Sequence, residues 1–458
     1  MTTYEELRQR HIADAKARLP EMVTRIDWSS DRLAEHRRSE LQRLIRTARD
    51  LSPWHRKHLA DVNPDEVDEQ MLRELPVMTK DDLMEHFDEI VTDDRLRLEV
   101  VEAHLAARTA GDAYLFDRYH ACASGGSTGR RGVFVYDWDG WAVCYLAFVR
   151  SEVRARRLDP DLDAAPNVFG RVASESATHI GSSTLRTFSS ADGAVWHHVP
   201  VTLPMSEIVS GLNTARPTVL WGYAGALQRL AHEAVTGRLR ISPRRVLSSS
   251  EPLLPEIRAA AEEAWQVPVV NVWGTSGASC GMSCGQSTGT HLSDDLTIVE
   301  PVDADGRPVP VGVRSDKIYL TNLFNHAMPL IRYEMTDQLT FLDDGCRCGS
   351  VFQRIADPDR RLDDTFVYGG VTVQPHVFRA PLSHHRQIVE YQVHQTGRGA
   401  SVAICCMAPV DLPALEAEIA VGLARLGLVA PEVTVTPVEG IERQARSGKL
   451  KRFVPLPA

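Results

Sequence analysis

Between residues 218 and 273 the chain alternates short apolar runs with stretches of helical spacing, and few folds accept that pattern. Residues 218–223 (TVLWGY) read as a strand. Residues 224–235 place Leu227, Leu230, Ala231 and Ala234 along one helix face, and Gly237 stops the helix. Residues 245–248 form the next strand. A helix over 255–265 follows, opened by Pro255 and carrying Ile257, Ala261 and Ala264 on one face. Residues 267–273 (VPVVNVW) are a third strand. Strands joined by helices of this length predict a parallel βαβαβ unit covered on both faces. Ligands of such sheets sit beyond the carboxyl ends of the strands. Here those ends are Ser248-Ser249-Ser250-Glu251-Pro252 and Trp273-Gly274-Thr275-Ser276-Gly277, both small and hydroxyl-rich. Ordinary loops with helix caps would read the same way.

The flanking regions have other patterns. Residues 1–60 are charged, alanine-rich and helical, and are expected to pack on the outside of the rest of the chain. Residues 295–342 change to short strands with a hairpin at Asp305-Gly306. Beyond about residue 360 lies a separate α+β module. Residues 388–395 alternate, Gly397-Arg398-Gly399 turns the chain and 401–407 run back. Asp411 then caps a helix bearing Leu412, Leu415, Ile419 and Leu423, and 432–438 form a third strand. The expected fold is therefore α/β: a large N-terminal domain over 1–360, with parallel βαβ units plus a β-rich subdomain, and a small α+β domain over 361–458.

Composition removes several functions. With 51 basic and 61 acidic residues the formal charge is −10 and no basic block occurs, which disfavours nucleic acid and anionic membranes as partners. The longest apolar run, 141–149, falls far short of the ~20 residues that span a bilayer. The N-terminus is charged from its fifth residue and carries no secretory core, so a cytoplasmic location is expected. Eight cysteines in 458 residues make no disulfide scaffold. There are only six lysines, so one near the C-terminus stands out.

Two constellations carry chemistry. Ser124-Gly125-Gly126-Ser127-Thr128-Gly129 lies between extended segments, where glycines let several amides face one anion and the hydroxyls add donors. It suits phosphate, although a plain Gly/Ser turn would look alike. It is not a Walker A loop, and no GxGxxG sequence occurs. The second is Cys284 and His291 with Cys346-Arg347-Cys348. Three thiolates and one imidazole are a usual tetrahedral Zn²⁺ set, closed and hence structural. Cys280 competes with Cys284 for a place in it, and free thiols beside a surface histidine are the plain alternative.

Together these segments resemble the adenylate-forming (ANL) superfamily, in its phenylacetate-CoA ligase-like branch. Ser-Pro-Trp-His-Arg (52–56) and Leu-Pro-Val-Met-Thr-Lys (75–80) are similar to that branch's N-terminal region. Ser124 to Gly129 matches its phosphate loop, Arg216-Pro217 with Gly222-Tyr223-Ala224 the strand before the adenine site, and Ser250-Glu251-Pro252 the adenine wall. Pro329-Leu330-Ile331-Arg332-Tyr333 through Asp337 matches the motif ending in a ribose-binding aspartate. Arg361-Leu362-Asp363-Asp364 matches the hinge and Gly448-Lys449-Leu450 the terminal lysine motif. The resemblance implies that Asp337 accepts both ribose hydroxyls and that Arg361 contacts ribose or phosphate. It further implies that Asp363 is the hinge of a mobile C-terminal domain, and that Lys449 meets the charge developing as an acid oxygen attacks the α-phosphate of ATP. It likewise supports zinc on the Cys/His set. Trp273 stands where the family has tyrosine, beside the adenylate with Gly274, Thr275 and Ser276. Gly277 stands where the family has the glutamate that helps to hold Mg²⁺.

The expected activity is ATP-dependent activation of a small, aromatic carboxylic acid as acyl-AMP, with release of pyrophosphate and transfer to coenzyme A. The acid pocket is expected around His179, Tyr223, Ala224, Gly277 and Ala278. One alternative is a diazotase that adenylates nitrite for an arylamine. It draws on the space and lost negative charge that a glycine at 277 implies. A third reading, from another class, is a nucleotide-binding protein with degenerate catalysis. Small molecules are the expected partners, and a homodimer is compatible with the sequence.

Overall fold

A capping box opens the chain. Thr3 accepts from the Glu6 amide, and the Glu6 carboxylate accepts from the Thr3 amide at 2.7 Å, which starts the helix Tyr4–Thr24. The computed structural model describes residues 3–108, 113–124, 131–163, 166–189, 193–278, 280–359, 361–444 and 447–456, with Cys280 by its backbone alone. The chain forms two compact units. The first comprises Met1–Asn167, Glu175–Trp196 and Val270–Pro358; the second comprises Val168–Ser174, His197–Val269 and Asp359–Ala458.

In the first unit, the expected N-terminal helices are present as Tyr4–Thr24, Ser30–Leu51 and Pro53–His58. The apolar run at 141–149 lies inside the helix Trp138–Leu158, capped by Asp137, whose carboxylate accepts from the Gly140 amide at 2.9 Å. That helix packs against Tyr4–Thr24. From its buried face Arg150 makes a bidentate pair with Asp295, both contacts 2.7 Å and both side chains out of solvent. The antiparallel hairpin His120–Ala123 and Val133–Tyr136 pairs His120 with Tyr136 and Ala123 with Val133.

The β-rich region appears where short runs were expected. Thr297–Val302, Lys317–Asn322 and Tyr333–Met335 form an antiparallel sheet, and Gly306 turns at φ +84°. A second antiparallel ladder pairs Gly274 with Cys280, Met282 with His291, His291 with Arg354 and Phe341 with Ile355. Leu292, Val299, Ile318, Leu339, Phe341 and Ile355 form its core, with Trp273 packed at the edge.

In the second unit, Val168–Ala173, Val219–Tyr223 and Arg245–Ser249 run parallel, with Phe169 opposite Val219 and Tyr223 opposite Ser249. The helices Met205–Ala215, Ala224–Val235 and Pro255–Trp265 connect or follow them. The core of Leu220, Leu227, Leu230, Val246, Ile257 and Ala261 uses the residues whose spacing announced these elements. The C-terminal strands Ile388–Thr396 and Gly399–Cys406 are antiparallel, while Glu432–Pro437 and Phe453–Val454 join in parallel. Asp411 caps Leu412–Arg425 as expected, accepting from Ala414 N at 3.1 Å. The helix Ala224–Val235 packs on the strand Ile388–Thr396.

Candidate functional site

Two groups of the expected nucleotide residues are assembled, one in each unit. In the first, Ser124 closes the strand His120–Ala123. Its amide donates to Gly132 O at 2.8 Å and its hydroxyl accepts from Gly132 N at 2.7 Å. These bonds pin both ends of the phosphate-loop candidate; Gly125, Gly126, Ser127, Thr128 and Gly129 lie outside the described residues. The returning strand Val133–Tyr136 and the end of the strand Lys317–Asn322 then each carry a side chain onto the turn after Trp273. Tyr136 donates its hydroxyl to Ser276 O at 2.7 Å, and Asn322 donates to Gly277 O at 2.6 Å. The Gly277 amide is capped by Thr275 Oγ1 at 3.1 Å. Trp273 Nε1 donates to Asp337 Oδ1 at 3.4 Å, so the ring and the carboxylate expected at adenylate and ribose are neighbours. Gly274 is exposed beside them, and Ala278 is buried.

Gly277 corrects an expectation. Loss of a side chain was expected to enlarge the space beside the reacting phosphate. Instead a Cβ at 277 would lie 2.8 Å from Leu330 Cδ1 and 3.1 Å from Phe134 Cε1. The volume is already occupied by two side chains, one from the hairpin and one from the Pro329–Tyr333 motif. The glycine is what allows that packing.

The second group surrounds the lysine. At the end of Arg245–Ser249, Ser250 adopts a left-handed conformation (φ +70°) and turns Glu251 back over the preceding element. Glu251 was expected on the adenine wall. Its Oε2 accepts from Gly225 N at 2.8 Å and its Oε1 from Leu450 N at 2.7 Å, so both oxygens hold backbone amides. Pro252 follows, half-buried, before buried Leu253. Tyr223, expected in the acid pocket, accepts from Ser174 N and donates to Ser447 O, each at 3.1 Å. Burial raises the pKa of its hydroxyl and keeps it a donor. Ala224 is buried at the first turn of the next helix. Lys449 therefore lies in a built loop: Gly448 N reaches Gln444 O at 2.8 Å and Gln444 N reaches Lys449 O at 3.0 Å. Gly448 has φ +64°, and a Cβ there would stand 2.4 Å from Val201 Cγ1, so only glycine fits.

Arg361 precedes the short 3₁₀ turn Leu362–Asp364 that contains Asp363. Burial raises the Asp364 carboxyl to about 6 against the pull of the Arg361 charge. His179 occupies the N-cap position of Ile180–Phe188, without a capping hydrogen bond from its side chain.

The thiol set does converge. The ligand atoms of Cys284, His291, Cys346 and Cys348 all lie within 4.8 Å of one another, the one such group among the described residues. Cys284 Sγ is 3.4 Å from Cys346 Sγ, and Cys348 Sγ is 3.4 Å from His291 Nε2. A tetrahedron with metal–sulfur bonds of ~2.3 Å has edges of roughly 3.7 Å, so these spacings suit one ion. His291 Nδ1 is 3.1 Å from Phe352 O, which leaves Nε2 for the metal. A hydrogen bond from Cys284 holds the Cys348 thiol far below its ordinary range, and the same bond pushes Cys284 up. Burial would lower the pKa of His291, but hydrogen bonds to Cys348 and Cys346 outweigh it. Arg154 donates to Cys348 O and to Asp27, each at 2.8 Å, anchoring the Cys346-Arg347-Cys348 turn.

No family model matches the chain. Over 209 residues, 43% of its length, it is 32% identical to a phenylacetate-coenzyme A ligase of Thermus thermophilus; the match spans 46% of that ligase. Its fold is similar to a 2-hydroxyisobutyryl-CoA ligase in the postadenylation state in complex with R3-HIB-AMP. The TM-score is 0.71 at 18% identity, over 94% of this chain and 91% of that one. It is also similar to that ligase with 2-HIB-AMP and CoA in the thioesterification state (TM-score 0.59, 19% identity). ATP-bound MatB from Rhodopseudomonas palustris gives 0.51 at 17% identity, over 71% of this chain and 65% of that one.

Proposed function

We propose that this chain, whose fold is that of the adenylate-forming ligases, activates a small carboxylic acid as acyl-AMP and passes it to coenzyme A. The observation that carries the proposal is the lysine loop. Lys449 is presented from a structured turn that Glu251 and Tyr223 tie to the carboxyl ends of two parallel strands, where ligands of such sheets bind. In this reading ATP binds with its ribose at Asp337 beside Trp273 and with its phosphates at the loop beginning at Ser124. The carboxylate oxygen attacks the α-phosphorus, the bond to pyrophosphate breaks, and the Lys449 ammonium stabilises the charge that develops. The coenzyme A thiol then attacks the acyl carbon and AMP leaves. Residues 361–458 are the moving domain, with Asp363 at its hinge and Arg361 on ribose or phosphate. Mg²⁺ accompanies the nucleotide, held without a carboxylate at 277.

A small aromatic acid is the favoured substrate, because the Thermus thermophilus relative is a phenylacetate-coenzyme A ligase. Zinc on Cys284, His291, Cys346 and Cys348 supplies structure alone, since the set is closed. The nitrite reading drew on open space and a lost negative charge at 277; Phe134 and Leu330 fill the space, and the lost charge alone does not favour nitrite over a carboxylate. The test is ATP–pyrophosphate exchange over a panel of carboxylic acids and nitrite, followed by thioester detection with coenzyme A. Exchange with an acid and a thioester are expected. AMP release that requires nitrite together with an arylamine would overturn the proposal.

A further inference from the structure

Around Gly225 four charged side chains converge that the reaction scheme leaves unused. A Cβ at 225 would stand 3.0 Å from Glu251 Oε2, 3.5 Å from Glu390 Oε1 and 3.6 Å from Arg452 Nη2. Arg443 completes the set, donating to Glu390 Oε1 at 2.5 Å and lying 3.7 Å from Glu251 Oε1. Glu251, Glu390 and Arg443 are 6%, 2% and 8% exposed, so the two carboxylates and their guanidinium are nearly dry. Arg452 reaches Gln228 at 3.1 Å and lies over the Tyr391 ring. Buried charge of this kind costs desolvation unless its geometry is fixed from several sides. Here the geometry has one consequence for the reaction. Glu251 accepts the Leu450 amide, one residue beyond Lys449 in the chain, and Arg443 enters the same loop from its other end.

We propose that Glu251 and Arg443 are positioning residues, a clamp anchored by Glu390 that fixes the Lys449 loop for adenylate formation and has no part in thioester formation. The proposal rests on the reading of Lys449 as the adenylation lysine. It predicts that Glu251 acts through the loop rather than on nucleotide or metal. Glu251→Gln replaces one acceptor by an NH₂ group that cannot receive an amide. Arg443→Gln removes the bridging charge. Gly225→Ala leaves every charge in place, improves a helical position and pushes the Glu251 carboxylate aside, so it tests geometry alone.

The experiment has two arms on the full chain. Hydrogen exchange is followed in peptides covering 441–456, with no substrate present. All three variants should exchange in this segment about tenfold faster or more, while the core helices Ala224–Val235 and Leu412–Arg425 keep wild-type protection. In the second arm the probes are ATP with phenylacetate for pyrophosphate exchange, and synthetic phenylacetyl-adenylate with coenzyme A for the second step. Exchange kcat should fall about tenfold or more with the KM for ATP within about twofold, and the thioester step should stay within about twofold. Unchanged hydrogen exchange in all three variants would overturn the clamp. So would equal losses in both steps, or a rise confined to the KM for ATP, which would mark Glu251 as a nucleotide or metal contact. If the wild type handles neither probe, the proposed substrate class fails while the hydrogen-exchange arm still decides the clamp.

Discussion

Position 277 is where residue-level reading went furthest wrong. The motif comparison showed that a carboxylate was missing, but not that Phe134 and Leu330 fill its place, because neither neighbour is close in sequence. Packing sets the prediction. Gly277→Ala should destabilise by about 1–3 kcal/mol through overpacking, and Leu330→Val in the same chain should recover part of that loss through a shared contact. Urea titration of both single variants and the double variant checks this; strictly additive effects would mean the contact is absent. Asp337 and Trp273 were each named from their motifs, and the contact between them emerged only from the fold. Asp337→Asn should weaken ATP binding by about 1.5–3 kcal/mol, the scale of hydrogen bonds to a charged acceptor, as read by equilibrium nucleotide titration. An unchanged affinity would remove Asp337 from the ribose site.

At the scale of elements, spacing was informative wherever one face is buried. The helices Ala224–Val235 and Pro255–Trp265 fall at the bounds their periodicity gave, and the expected strands at 218–223, 245–248 and 267–273 differ by one or two residues at an end. The helix Trp138–Leu158 was less legible, because arginine and glutamate follow its apolar run and their buried pairings, such as Arg150 with Asp295, cannot be read from spacing. The Cys/His set was legible as a candidate from ligand type and order, with Cys280 competing for the place of Cys284; the ladder through His291 then brings its two halves together. Protein prepared without chelator should carry about one zinc per chain, as tetrahedral Cys₃His sites do. Cys348→Ser should lose the metal and lower the thermal midpoint, measured by metal analysis alongside calorimetry. Zinc-free wild type of unchanged stability would refute the site.

Across the whole molecule, α/β architecture and motif order were readable. The second unit was not, because it joins Asp359–Ala458 to His197–Val269 and Val168–Ser174, a grouping set by contacts distant in sequence. Buried histidines of the first unit carry a pH consequence. Burial lowers the pKa of His11, His104 and His326 to about 4 and that of His55 to about 3. The unfolded chain, with histidine near 6.5, binds these protons first as pH falls, so stability is full above 6.5 and is lost progressively towards 4. His11, His55 and His326 each contribute up to about 1.4 kcal/mol per pH unit within that window, and half-buried His104 contributes less because solvent screens it. Asp294 and Asp364, both raised to about 6 by burial, work in the opposite sense, but two carboxyls do not offset four imidazoles. Urea midpoints should therefore decline from pH 7 to pH 5; a flat profile would mean the histidines are not buried as described. The central claim, that Lys449 serves adenylate formation on this fold, is tested most directly by ATP–pyrophosphate exchange with the best acid of the panel, comparing wild type with Lys449→Ala. The account predicts exchange in the wild type, at least about a hundredfold less in the variant, and unchanged ATP affinity; near wild-type exchange by Lys449→Ala would contradict it.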